Sequence, residues 1–182
     1  MSRKARPAAP GTKTSDEIAA MIRVDHAGEY GAVRIYEGQL AVLGKTAAAD
    51  SIRRMAAEEQ RHLETFDRLI VERRVRPTAL EPVWRIAGFA LGAATALMGE
   101  KAAMACTAAV EEVIDAHYAG QIERLGDSDK ELKTTVADFR ADEIAHRDEA
   151  LAAGAEQAPG YRVLSETIKA GCRLAIALST RI

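Results

Sequence analysis

The chain has 182 residues, 48% apolar and only 4% aromatic, with 25 basic against 27 acidic side chains and a net charge of −2. That length fits one domain with a substantial core, and scarce aromatics with abundant alanine favour closely packed helices over sheets. The near balance of charge excludes the strong positive field of a nucleic-acid binder. Two isolated cysteines, Cys106 and Cys172, form neither a disulfide framework nor a CxxC zinc pattern, as suits a reduced compartment, and read as packing residues.

Residues 1–14 are basic and contain Pro and Gly, so a disordered arm is expected there; the apolar run and cleavage site of a secretory signal are not present in it. Ser15, Asp16 and Glu17 supply a cap and early negative charge for a helix over residues 15 to about 43, stopped by Gly44. Inside it Gly28 and Gly31 flank Glu29, at a local cost of about 1 kcal/mol each, so something is expected close to the backbone there. A second helix over about 46–74 carries Glu59 and His62 and ends before Arg76-Pro77.

Glu81-Pro82 opens a third segment whose residues 86–99 hold no charge. A spanning helix needs about 20 apolar residues, and this run is too short. Its Gly88, Gly92, Ala96 and Gly99 permit close helix contact. Two readings stand open: a buried packing helix, or a helix in a membrane interface with Trp84 and Arg85 at its edge.

A fourth helix over about 100–125 carries Glu111, His117 and Tyr118. The turn Gly126-Asp127-Ser128 caps the next, which carries Glu143 and His146 and ends near Gly154. Pro159-Gly160 punctuates, and a last helix over about 161–178 places Leu164, Ile168, Cys172 and Ala175 on one stripe. It either closes the bundle or builds an apolar rim with the 86–99 stretch.

The halves repeat. Aligning Glu29 with Glu111 superposes Tyr36 on Tyr118, Gly38 on Gly120 and Gln39 on Gln121; aligning Glu59 with Glu143 superposes Glu58 on Asp142 and Glu64 on Asp148. Such self-similarity indicates duplicated helix pairs, hence an all-α four-helix bundle with two accessory apolar helices. It also selects Glu111 over Glu112.

Glu and His three apart share one helix face. Two helices each offering Glu-x-x-His and two each offering one Glu match the ligand set of a two-iron or two-manganese site in a bundle. Four buried carboxylates without cations would repel and protonate, whereas two divalent ions balance them. The expected ligands are Glu29, Glu59 and His62 on one metal and Glu111, Glu143 and His146 on the other, some Glu bridging. Ligand imidazoles need an acceptor for the second ring nitrogen, and by pseudo-symmetry Asp142 would serve His62 and Glu58 would serve His146. Tyr36 and Tyr118, two turns beyond their Glu, either reach the site or pack the core. For His26 and His117 an ordinary structural role is favoured.

The stretches Asp25-His26-Ala27-Gly28-Glu29-Tyr30-Gly31-Ala32, Gly88-Phe89-Ala90-Leu91-Gly92, Ala103-Met104-Ala105-Cys106-Thr107 with Val110-Glu111-Glu112, and Ala170-Gly171-Cys172-Arg173 resemble the demethoxyubiquinone hydroxylases. By family pattern the ligands fall on the same six residues. The resemblance implies a ferritin-like bundle over 15–182, two iron ions per chain, and a non-haem di-iron monooxygenase using O2 to hydroxylate a polyprenyl demethoxyubiquinol in ubiquinone biosynthesis. It implies a peripheral place on a membrane surface: the cytoplasmic face of a bacterial cell membrane, or the mitochondrial inner membrane in a eukaryote. A lipid-presenting partner protein occurs in some lineages of that family. No dinucleotide-binding Gly-rich turn occurs in the chain, so no flavin or nicotinamide site is expected within it. The alternative from another class is a ferritin-like di-iron store or peroxide scavenger, which uses the same ligand set.

Overall fold

The computed structural model describes residues 15–182; the arm expected over residues 1–14 lies outside them. The described residues form helices α1 (Ser15–Leu43), α2 (Ala49–Glu72), α3 (Glu81–Leu97), α4 (Glu100–Leu125), α5 (Lys130–Ala152) and α6 (Tyr161–Ser179), with one short 3-10 turn (Ala155–Gln157) and no strand among them. Helix α5 is capped by Asp129, whose side chain accepts from the Leu132 amide, rather than by the preceding turn that sequence suggested. The α5–α6 connection passes through Gly154 and Gly160, both left-handed (φ 91° and 67°), a conformation that costs glycine little.

Hairpins α1–α2 and α4–α5 make the four-helix bundle. They meet through α1 against α4 and α2 against α5, while α3 lies along α1 and α6 lies along α4 and touches α1. Helices α1 and α4 are therefore covered on most sides, and α4 is buried without a break from Ala102 to Glu111. Tyr36, Leu43, Ile52, Met55 and Met104 plug one end of the bundle. Met21, Ile22, Phe66, Leu132 and Phe139 plug the other. The acidic layer sits between these two apolar plugs.

Helix α3 approaches α1 through glycine. A methyl group at Gly88 would lie 2.8 Å from the Gly31 carbonyl oxygen, and methyl groups at Gly92 and Gly38 would be driven into the carbonyls of Ile35 and Phe89. The uncharged stretch thus does two things at once. Its small face (Gly88, Gly92, Thr95, Ala96) packs inward, while Val83, Ile86, Phe89 and Leu97 stay exposed, Leu97 by 76%. No helix among the described residues is long and apolar enough to cross a membrane.

Between α1, α3, α4 and α6 lies an apolar cavity of about 460 Å³, partly open to solvent. Gly28, Gly31, Val110, Leu91, Ile168 and Cys172 are among its walls. At its edge Trp84 Nε1 donates to Ser179 Oγ at 3.0 Å, joining the start of α3 to the end of α6. A close neighbour is expected at the glycines beside Glu29, and α3 supplies one at Gly31, whose carbonyl Gly88 packs against. Among the described residues nothing approaches the side-chain positions of Gly28 and Gly31, and both line this cavity.

Candidate metal centre

Glu29 and Glu111 stand near the middle of α1 and α4, and Glu59-His62 and Glu143-His146 face them from α2 and α5. All six side chains are at most 2% exposed. They fall into two groups whose ligand atoms all lie within 4.8 Å of one another: Glu29, Glu59, His62 and Glu143; and Glu59, Glu111, Glu143 and His146. Glu59 and Glu143 belong to both groups, the placement that bridging carboxylates need.

The halves are interleaved rather than separate. His62 Nδ1 lies 3.2 Å from Glu143 Oε1 and 3.9 Å from Glu59 Oε2. His146 Nδ1 lies 3.1 Å from Glu59 Oε1 and 3.6 Å from Glu143 Oε2. Each imidazole is nearer to the motif glutamate of the other hairpin than to its own.

The outer faces of the histidines meet carboxylates. His62 Nε2 is 3.0 Å from Asp142 Oδ2, and His146 Nε2 is 2.5 Å from Glu58 Oε2. Tyr36 donates its hydroxyl to Glu111 Oε1 at 2.9 Å, and Tyr118 donates to Glu29 Oε1, so each tyrosine crosses to the glutamate of the other half. The remaining histidines stand apart from the two groups. His26 Nε2 meets Asp67 Oδ1 at 2.9 Å, and His117 Nε2 meets the buried Asp25 Oδ1 at 3.2 Å.

Sequence reasoning missed several supports. Gln121 donates to Asp25 at 2.6 Å, and Gln39 donates to the Ala103 carbonyl at 3.1 Å and to Thr107 at 3.3 Å. The same repeat that aligns Gln39 with Gln121 aligns Asp25 with Thr107, so this crossed pairing was recoverable. Phe139, stacked on His62 with ring centroids 3.9 Å apart, and Arg61, which holds Asp142 at 2.6 Å, had no such signal.

Protons reveal the strain of so much buried acid. Burial, then repulsion from Glu143, holds Glu59 and Glu111 well above the ordinary carboxylate range. Burial would push Glu143 the same way, but the adjacent His146 and His62 outweigh it and bring it down to about 2. Burial would lower His62 and His146; the close carboxylates, Glu143 foremost, outweigh it and lift them to about 11 and about 12. Burial, then the neighbouring glutamates, raises the hydroxyls of Tyr36 and Tyr118.

The inward atoms nevertheless face only one another, in ion-pair contact but without hydrogen bonds. Both oxygens of Glu59 and of Glu143, Oε2 of Glu29 and Glu111, and Nδ1 of His62 and His146 are buried without a hydrogen bond. Unsatisfied buried acceptors are costly, and here they converge on common points. Carboxylate oxygens and imidazole nitrogens suit iron or manganese; a pair of divalent cations would satisfy these atoms and balance four carboxylates. The residues present therefore fit such a pair.

Comparison with known proteins gives one consistent answer. Residues 16–179 match the family model described as ubiquinone biosynthesis protein COQ7. The 3-demethoxyubiquinol 3-hydroxylase of Rhodospirillum rubrum is 58% identical over 166 residues, covering 91% of this chain and 78% of that protein. The human NADPH-dependent 3-demethoxyubiquinone 3-hydroxylase, mitochondrial, is 53% identical over 169 residues, covering 91% and 78%. The 5-demethoxyubiquinone hydroxylase, mitochondrial, of Saccharomyces cerevisiae is 42% identical over 179 residues, covering 89% and 77%.

Proposed function

The chain belongs to the COQ7 family of ubiquinone biosynthesis proteins, and we propose that it hydroxylates the ring of a demethoxyubiquinol at a pair of iron ions held by Glu29, Glu59, His62, Glu111, Glu143 and His146. The observation that carries the iron pair is the overlap of two four-residue groups through Glu59 and Glu143, with inward atoms of all six left without a hydrogen bond. When bound, the iron pair would supply the reduction of O2, by which one oxygen atom is inserted at a ring C–H to give C–OH and the other leaves as water, at the expense of two electrons and two protons.

The chain's own residues provide placement and dryness. Asp142 and Glu58 orient the two imidazoles through their outer nitrogens. Tyr118 and Tyr36 hold one oxygen of Glu29 and of Glu111 by hydrogen bonds, leaving the other free for a cation. The end plugs built on Met55 and Phe66 keep water from the acids.

The cavity beside Gly28, Gly31 and Val110 adjoins the helices that carry Glu29 and Glu111, and its apolar walls suit a quinol ring followed by a polyprenyl tail. A storage protein has no use for such a cavity. The exposed Val83, Ile86, Phe89 and Leu97 of α3 form the face that would rest in a membrane surface, at the rim where a lipid-presenting partner would deliver substrate. The protein then works as a peripheral membrane enzyme, on the cytoplasmic face in a bacterium or on the mitochondrial inner membrane in a eukaryote.

The test is reconstitution. Purified protein loaded with Fe(II) and given demethoxyubiquinol, O2 and a reductant should yield the ring-hydroxylated quinol by mass spectrometry. Iron uptake and oxidation without that product would favour storage.

A further inference from the structure

The two halves agree in their six inward side chains but not in what stands behind them. The alignment of Glu59 with Glu143 places Ala145 where Arg61 stands and Met55 where Phe139 stands. On one side His62 stacks on Phe139, and the Arg61 guanidinium lies 5.7 Å from the same ring. Arg61 Nη2 donates at 2.6 Å to Asp142 Oδ2, the oxygen that faces His62 Nε2 at 3.0 Å, and is itself 3.5 Å from that nitrogen. On the other side Glu58 Oε2 faces His146 Nε2 at 2.5 Å, and no ion pair joins Glu58 to an arginine among the described residues. Arg54, on the same helix, forms its ion pair with Glu149 and feels Glu58 only as a weaker, longer-range charge, with no direct contact of the kind Arg61 makes with Asp142.

We infer that Arg61 makes the two metal positions unequal, so that the position served by His146 fills first and the one served by His62 fills second. This rests on the metal pair proposed above. A carboxylate that accepts an imidazole N–H raises the donor strength of the opposite nitrogen. Asp142 gives His62 less of this help than Glu58 gives His146, because its oxygen already shares its charge with a guanidinium. The guanidinium also places a fixed positive charge beside the cation that His62 would hold. Stacking on Phe139 orients the His62 ring but adds no negative charge. Arg61 is thus a positioning and tuning residue, acting on the metal through Asp142 and His62.

Coupling through the shared Glu59 and Glu143 separates the two binding steps whatever stands at residue 61, so the informative quantity is the change on substitution. Co(II), titrated anaerobically into the metal-free full chain and followed by its d–d absorption, should bind in two steps. In Arg61→Gln the weaker step should tighten about three- to tenfold, a fraction of the 10–100-fold range seen for outer partners of metal ligands, with the tighter step moving less than about twofold. Asp142→Asn should weaken the second step and Glu58→Gln the first. The Arg61 side chain is 56% exposed, so its replacement opens no core. Unchanged steps in Arg61→Gln, or a first step weakened by Asp142→Asn, would overturn the inequality while leaving the metal pair standing. Failure of the parent chain to take up Co(II) at all would overturn the metal pair and this inference with it.

Discussion

Glu59 lies closer to the histidine of the opposite hairpin than to its own: Oε1 is 3.1 Å from His146 Nδ1, while Oε2 is 3.9 Å from His62 Nδ1. A residue read from sequence as half of a local Glu-x-x-His motif is thus shared across the bundle. Glu143 does the same toward His62. The hairpins are tied together at the site by carboxylates that belong to both groups.

The shared and unshared glutamates should therefore behave differently. Glu143→Ala removes a ligand from both groups and should abolish turnover and cut bound iron from about two ions per chain to well below one. Glu29→Ala removes a ligand from one group only and should leave roughly one ion. Metal analysis of the two purified variants checks this; equal losses would argue against the shared placement of Glu143.

Metal binding should release protons and tighten with pH. Without cations His62 and His146 are raised to about 11 and about 12, and Glu59 and Glu111 stand well above the carboxylate range. The imidazoles therefore stabilise the metal-free fold fully below about pH 6.5, an effect lost as pH rises through about 11 to 12. Glu143, lowered to about 2, contributes above about pH 4.5 and is lost as pH falls through about 2. Glu59 and Glu111 subtract stability once pH exceeds about 4.5. The Nδ1 proton of His62 and His146, and any carboxyl proton on Glu59 or Glu111, must leave when a cation arrives, while the outer Nε2–H groups stay with Asp142 and Glu58. The affinity should therefore rise by about tenfold or more per pH unit between about 6 and 8. Calorimetry in buffers of different ionisation enthalpy measures the protons; none released would contradict the charge balance.

The α1–α3 crossing tolerates no side chain. Gly92→Val would force atoms into the Ile35 carbonyl and should cost about 1–3 kcal/mol, lowering Tm by about 2–10 °C in a chain of this size. Since α3 also walls the cavity, substrate affinity should fall with it. A thermal melt beside a substrate titration checks both, and an unchanged Tm would mean that α3 is free to shift away.

Membrane attachment should depend on the outer face of α3. Ile86→Glu and Leu97→Glu alter side chains that are 68% and 76% exposed, and each should reduce co-sedimentation with lipid vesicles while iron stays bound. Leu91 is half-buried and lines the cavity, so a charge there should impair substrate binding first. Sedimentation unaffected by both outer substitutions would remove α3 as the membrane face.

The helices and the six inward residues were legible because both leave a periodic trace. Ligands must share a helix face, and duplication writes the pattern twice. The partner acids Glu58 and Asp142 could be suggested from the same pseudo-symmetry. What could not be read depends on distances between helices: the crossing of Glu59 to His146, the stacking of Phe139, the cavity where Gly28 and Gly31 face open space. Of the two readings of the 86–99 stretch, the structure shows the packing one in the glycines turned to α1; the large side chains turned outward are what the proposed membrane contact rests on. Asp129 escaped notice as a cap because Gly126-Asp127-Ser128 carries the same kind of signal a turn earlier.

The central claim is that six buried side chains hold a pair of iron ions through two common carboxylates. An anomalous difference map at the iron edge, from crystals of the iron-loaded protein, tests it most directly. Two peaks about 3.5–4 Å apart, both within reach of Glu59 and Glu143 and each beside one of His62 and His146, are the expected result. A single peak, peaks outside the two groups, or none would contradict it.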